Sequence, residues 1–234
     1  MSLAQARKDL RSLADTKKAA FFPYFFKTGK GEYGEGDKFL GVTVPAIRRV
    51  ANKHIELSLK DIDALLKSPW HEDRLLGVII LTYQFDRGDE PLRKKIFDFY
   101  LAHTKCINNW DLVDASASRI VGAYLEGKDT KILDRLARSK LIWERRIAMI
   151  STLYFTWNGN PEPALRIAER LLDDEHDLMH KAVGWMLREV GKRCSEAKLE
   201  HFLKRNLKRM PRTTLRYAIE RFPEAKRRGY LAKT

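Results

Sequence analysis

The sequence predicts an all-α chain, an α-solenoid of helical repeats with a period of about 36 residues and a concave basic face. Three observations carry that expectation. Apolar residues recur at three- and four-residue spacing, with almost no period-two alternation. Start and stop signals cut the pattern into many short helices. Short, similar segments return at a nearly constant interval.

In chain order, the first 28 residues read as one or two capping helices, with Phe21, Phe22, Phe25 and Phe26 expected to be mostly buried. Gly29-Lys30-Gly31-Glu32-Tyr33-Gly34 matches the dinucleotide pattern G-x-G-x-x-G. No apolar strand precedes it and no βαβ unit follows, so it reads as a loop. Ser58 is placed to cap a helix running to Lys67. The next helix starts near Ser68-Pro69 and reaches Phe85, where Asp86-Arg87-Gly88-Asp89 ends it. Pro91 opens a helix to His103, and another runs from Asn108 to Glu126 and stops at Gly127. Further helices are expected over Thr130–Ser139, Ile142–Trp157, Pro161–Leu172, Asp177–Gly191, Ser195–Arg209 and Pro211–Arg221. The reading is one domain over 1–234: capping helices and the glycine-rich loop in 1–57, repeats in 58–222, and a basic tail in 223–234.

The repeat is carried by Leu76, Leu112, Ile147 and Val183, spaced 36, 35 and 36 residues apart; a further 36 reaches Ile219. Gly77, Ala148 and Gly184 follow three of them and allow close helix approach. Each residue turns a helix by about 100°. If the central apolar residues face inward, Trp110, Asp114, Arg145, Lys181, Trp185 and Arg188 face the other way, with Arg146 at the flank. A tryptophan in a helix is more often packing than function, and Asp114 has Arg145 and Arg119 as possible ion-pair partners. Two tryptophans and a carboxylate among cations nevertheless make a face worth testing for chemistry.

The 234 residues include 45 Lys+Arg against 31 Asp+Glu, a net charge of +14, which makes a polyanion the first partner to consider. Residues 200–234 alone carry +8, Arg212, Arg216 and Lys233 among the cations, with Tyr217 and Tyr230 interleaved. Cys106 and Cys194 make no disulfide framework. No apolar run reaches the roughly 20 residues that span a bilayer. His176 and His180 lack the third ligand and the H-E-x-x-H pattern of a zinc site, so capping or solvent-facing roles are expected and no metal or cofactor is assigned. A soluble, cytoplasmic protein, monomeric and without an obligate protein partner, is the expectation.

Four segments resemble the AlkD-type DNA alkylation repair proteins, a family of HEAT-like-repeat DNA glycosylases. They are Gly34–Val42 with Pro45 and Arg48, Asn109-Trp110-Asp111-Leu112-Val113-Asp114, Trp143-Glu144-Arg145-Arg146-Ile147-Ala148, and Lys181–Glu189. The resemblance implies a solenoid that wraps duplex DNA and removes purines made cationic by N3 or N7 alkylation, the base remaining stacked. It implies a catalytic carboxylate at Asp114, paired tryptophans at Trp110 and Trp185, and a phosphate contact at Arg146. Arg145, Lys181, Arg188, Arg212 and Arg216 complete the expected DNA-binding set. Members often carry a second tryptophan where this chain has Asn109, a departure that bears on substrate range. No lysine stands at a motif position as a Schiff-base nucleophile, so a monofunctional enzyme without lyase activity is expected. The alternatives are a non-catalytic module for distorted or branched DNA, a protein-binding helical scaffold, which the charge disfavours, and an RNA partner.

Overall fold

The computed structural model describes residues 2–232; Lys233, counted above among the basic residues, lies outside the described residues. Among the described residues there is no β-strand, only an isolated bridge between Lys38 and Trp70. The chain forms two compact units, Met1–Ile120 and Val121–Thr234.

The first unit holds α1 (Leu3–Arg11), α2 (Thr16–Phe25), α3 (Val44–Lys53), α4 (Leu59–Leu66), α5 (His71–Arg87), α6 (Glu90–Ala102) and α7 (Trp110–Ala117). α5 is its axis, packed against α3, α4, α6 and α7. Thirteen of its 17 residues are buried. A helix apolar on nearly every side must be surrounded, which is why it sits at the centre. Ser58 caps α4 in a capping box with Asp61, as its position predicts. α5 begins at His71, two residues later than Ser68-Pro69 suggests, because the Pro69 carbonyl accepts the Lys38 N–H and the Ser68 hydroxyl bonds Asp73.

The expectation that Phe21, Phe22, Phe25 and Phe26 are mostly buried needs correction. Only Phe26 is buried; Phe21 is 56% and Phe25 49% exposed. Phe22 and Phe26, one turn apart, both meet Phe39 of the glycine-rich loop. Phe21 and Phe25 stand about 100° round the helix from that contact.

The second unit begins inside a π-helical turn, Ser118–Gly122, that continues α7 into α8 (Ala123–Leu125). It contains α9 (Lys131–Ala137), α10 (Ile142–Trp157), α11 (Glu162–Leu171), α12 (Asp177–Arg193), α13 (Glu196–Asn206), α14 (Arg212–Ala218) and α15 (Glu224–Leu231). α10, α12 and α14 pack in succession, flanked by α9, α11 and α13. Five polar contacts of this unit join residues at equal sequence separation. Thr130 meets Arg166, Asp134 meets Arg170, Glu162 meets Lys198, Glu169 meets Arg205 and Asp173 meets Arg209, each pair 36 apart.

The five repeat-centre residues, Leu76, Leu112, Ile147, Val183 and Ile219, are at most 1% exposed. Gly184 lets α12 and α14 touch: a Cβ there would lie 2.5 Å from the Tyr217 Cβ and 2.6 Å from the Thr214 carbonyl oxygen. Within the stretch read as a basic tail, residues 224–231 form a helix. Lys226 is held by Glu196 and Glu200, and Arg227 by Glu224. Much of the C-terminal charge is therefore internally paired, whereas Lys208, Arg216 and Arg221 form no ion pair among the described residues. No described helix is long and apolar enough to cross a membrane.

Gly184→Ala is expected to destabilise the protein by about 1–3 kcal/mol, because a backbone carbonyl stands where the methyl must go. Urea unfolding monitored by circular dichroism measures this. Gly159→Ala would lose stability by backbone strain alone, since its φ is 79° and its Cβ meets nothing within 4 Å.

Candidate functional site

The site in the first unit is built from the opening turn of α5. His71, Glu72, Asp73 and Arg74 are consecutive and buried, and between them they bind α1, the glycine-rich loop and α7. Asp73 takes Arg11 of α1 at 3.0 Å and the Ser68 hydroxyl at 2.7 Å. Glu72 accepts the successive backbone N–H groups of Leu40, Gly41 and Val42 at 2.8–3.2 Å. That carboxylate shapes the loop end around Gly41, whose φ is 81° and where a Cβ would meet the Asp15 carbonyl at 2.1 Å. Arg74 donates to Asp37 at 2.6 Å and to the Ser68 carbonyl at 2.9 Å. His71 bridges Asp37 at 3.2 Å and Asp111 at 2.8 Å. Glu72 and Asp73 also lie in the first helical turn, where the α5 dipole favours negative charge.

This cluster fixes the start of α7. Asn109 is fully buried; its side chain accepts the Trp110 N–H at 2.8 Å and donates to Asp37 at 3.4 Å. Asn109 is thus a cap that ties α7 to the glycine-rich loop. Trp110 stacks on Phe26 at 5.6 Å between centroids and meets the edge of Phe25 at 5.7 Å. Phe26 in turn lies 4.6 Å from the His71 ring. Trp110 and Asp114 are four residues apart, hence on one face of α7, and both are half-exposed. Beneath them Tyr100 is fully buried and bonds the Ser116 hydroxyl at 2.8 Å. Burial foremost, with the Asp114 charge adding, pushes the Tyr100 phenol well above its ordinary range.

Burial opposes charge on His71, but Asp111 beside it and the hydrogen bonds to both carboxylates raise its pKa from 6.5 to about 9. Burial likewise opposes charge on Asp37, yet His71 and Arg74 hold it below the usual carboxylate value. The result is a buried, charged His71 between two aspartates.

The remaining expected residues belong to the second unit. Lys181, Trp185 and Arg188 recur at four- and three-residue spacing along one face of α12 and are half-exposed. Lys181 pairs with Asp177 at 2.6 Å, and Arg188 pairs with Glu220. Arg146 is buried and donates to the Leu178 carbonyl at 2.7 Å, joining α10 to the start of α12. Arg145 bonds Asp174 at 2.6 Å and the Ser139 carbonyl at 3.0 Å, a bracing position. Arg119, the other cation considered for Asp114, pairs with Asp86. Arg212 is exposed and donates to the Leu231 carbonyl at 3.0 Å. Arg216 is exposed and lines a cleft of about 390 Å³ with Asp177, Lys181, Thr213, Tyr217, Glu220 and Arg227. His176 caps α12 through its Nδ1, and no cluster among the described residues is suited to a metal.

His71 is the residue that the sequence reading missed. Its signal is four consecutive polar residues at the head of an otherwise apolar helix, an arrangement that requires buried partners. An all-α chain with aromatic and cationic side chains on repeated helices belongs to the class of helical-repeat proteins. The family model for DNA alkylation repair enzymes matches residues 6–222. The chain belongs to that family. Among solved structures it is similar to a predicted DNA alkylation repair enzyme from Enterococcus faecalis, at 16% identity and TM-score 0.69, covering 90% of this chain and 97% of that one. It is also similar to AlkD2 from Streptococcus mutans, at 19% identity and TM-score 0.53, covering 95% and 97%. No curated protein matches it.

A group whose pKa rises on folding stabilises the native state below its unfolded value and loses that contribution as pH climbs through its folded value. The unfolding free energy of the wild type is therefore expected to decline between pH 6.5 and about 9. His71→Gln should lack that component, as measured by urea unfolding across the range. Glu72→Ala, which leaves three backbone donors without their acceptor, is expected to cost about 3 kcal/mol or more.

Proposed function

We propose that this protein is a DNA glycosylase that hydrolyses the N-glycosidic bond of N3- or N7-alkylated purines in duplex DNA. The observation that carries the reading is the pairing of Trp110 and Asp114 on the half-exposed face of α7, above a rigid buried charge cluster, in a chain that belongs to a DNA alkylation repair family.

The chemistry suits these residue types. An alkylated purine is cationic and leaves readily. As the C1′–N9 bond breaks, its electron pair goes to the base and cancels that charge. Positive charge develops on the deoxyribose instead. An ionised Asp114 stabilises it electrostatically, and can orient the water whose oxygen bonds to C1′ and whose proton passes to the carboxylate. The electron-rich face of Trp110, on the same helix face as Asp114, favours a cationic sugar; Trp185 of the second unit is the other aromatic residue that the resemblance assigns. Arg146, Lys181, Arg188, Arg212 and Arg216 are the proposed phosphate contacts. Arg216 leads this set, being exposed and without an ion pair among the described residues. Arg145 is the sixth member of the set; it also braces the fold through Asp174, whose side chain is only 5% exposed, as Arg146 does through the Leu178 carbonyl.

The test is single-turnover base release from a duplex carrying one 7-methylguanine. Asp114→Asn should lower the rate by about 100-fold or more while DNA affinity changes little. Wild-type binding without release would instead favour the module for distorted DNA, and release by Asp114→Asn at the wild-type rate would remove the assigned role.

Arg216→Ala should weaken binding of any duplex and reduce the slope of log K against log salt by about 1. Arg145→Ala should act on stability instead, by about 3 kcal/mol, because it strands a buried carboxylate. Salt-dependent fluorescence anisotropy and urea unfolding separate the two effects.

A further inference from the structure

We propose that His71 is a positioning residue for excision: its imidazole, held between Asp37 of the glycine-rich loop and Asp111 of α7, fixes the ring of Trp110. Its part in catalysis rests on the glycosylase reading; its hold on Trp110 does not.

Three contacts converge on this role. The imidazole Nε2 lies 2.8 Å from the Asp111 Oδ2, and Asp111 is the residue after Trp110. The other oxygen of that carboxylate accepts the Leu112 N–H at 2.9 Å, so the first turn of α7 is tied to His71 through Asp111. The opposite nitrogen, Nδ1, lies 3.2 Å from Asp37, which also takes Arg74 at 2.6 Å and Asn109 at 3.4 Å. Asn109 caps Trp110 itself. The third link runs through the rings. Phe26 stands between His71 at 4.6 Å and Trp110 at 5.6 Å, and Phe39 flanks the imidazole at 5.0 Å.

One side chain therefore reaches Trp110 by its backbone, by its N-terminal cap and by its stacking partner. A buried histidine needed only to fill space would not engage carboxylates with both nitrogens. The doubly hydrogen-bonded form is the imidazolium, which donates from both nitrogens. The charged groups facing it are Asp37 from the loop, Asp111 from α7 and Arg74 from α5; Glu72 and Asp73 turn to the loop backbone and to α1. Loss of the proton removes one donor and lets one carboxylate go, so the first turn of α7 and the Trp110 ring shift together.

The experiment uses full-length protein labelled with 5-fluorotryptophan. Its five tryptophans give separate fluorine resonances, and Trp110→Phe assigns the relevant one. The His71 Cε1–H signal is followed in parallel from pH 6.5 to 10.5. The Trp110 resonance should move with the His71 midpoint, near 9, and should be independent of pH in His71→Gln. That variant should also lower the single-turnover rate at pH 7.5 by about tenfold, with DNA affinity kept within about threefold. Should His71→Gln fail to fold, Asp111→Asn replaces it: the carboxamide keeps the shape, and both the His71 midpoint and the Trp110 resonance should shift. A Trp110 resonance that stays still while His71 titrates overturns the proposal. So does a His71→Gln rate reduced only in proportion to its folded fraction. If the two signals move together in a protein that releases no base, the positioning role stands and the glycosylase reading fails.

Discussion

The first unit depends on four charged or polar side chains in succession at the head of α5. Taking His71, Glu72, Asp73 and Arg74 out of water is costly unless each finds a partner. They find them on α1, on the glycine-rich loop and on α7, so satisfying one helix turn arranges three other segments. Such a cluster is high-stakes: complete, it specifies one geometry; with one member missing, it leaves a buried charge alone. It is bonded to the start of α7 through Asp111 and Asn109, and α7 carries the two residues of this unit to which the proposed chemistry falls.

The second unit is organised differently. Its core is apolar and periodic, while its flanking row is joined by contacts between residues 36 apart. Most of those ion pairs are exposed, and exposed pairs contribute only about 0–1 kcal/mol each. They mark the register of the helices more than they hold it. The close approach at Gly184 is the stronger constraint, because it sets how near the Tyr217 side of α14 lies to the face carrying Lys181, Trp185 and Arg188.

The burial of Leu76, Leu112, Ile147, Val183 and Ile219 is legible in the sequence because the inward face of a packed helix accepts only apolar residues. The half-exposure of Trp110, Asp114 and Trp185 followed from the same geometry. Partner choice was not legible. Arg145 and Arg146 are adjacent and chemically identical, yet one braces Asp174 and the other a backbone carbonyl, a distinction set by contacts about 30 residues away. The side of α2 that is covered is equally hidden, since the run from Ala19 to Phe25 is apolar or aromatic throughout and shows no face. In the basic C-terminus, a count of charges does not reveal that Lys226 is paired with Glu196 and Glu200 while Arg216 is left without an ion pair among the described residues.

The proposed chemistry depends on Asp114, the half-exposed carboxylate of the first unit that is proposed to stabilise positive charge on a sugar. The most direct measurement is mass spectrometry of what the wild-type protein liberates from methylated duplex DNA, matched against abasic sites left in the strand. The account requires intact free 7-methylguanine and 3-methyladenine in amounts equal to the abasic sites, with unmodified guanine untouched. Bound DNA that yields no free base would contradict it.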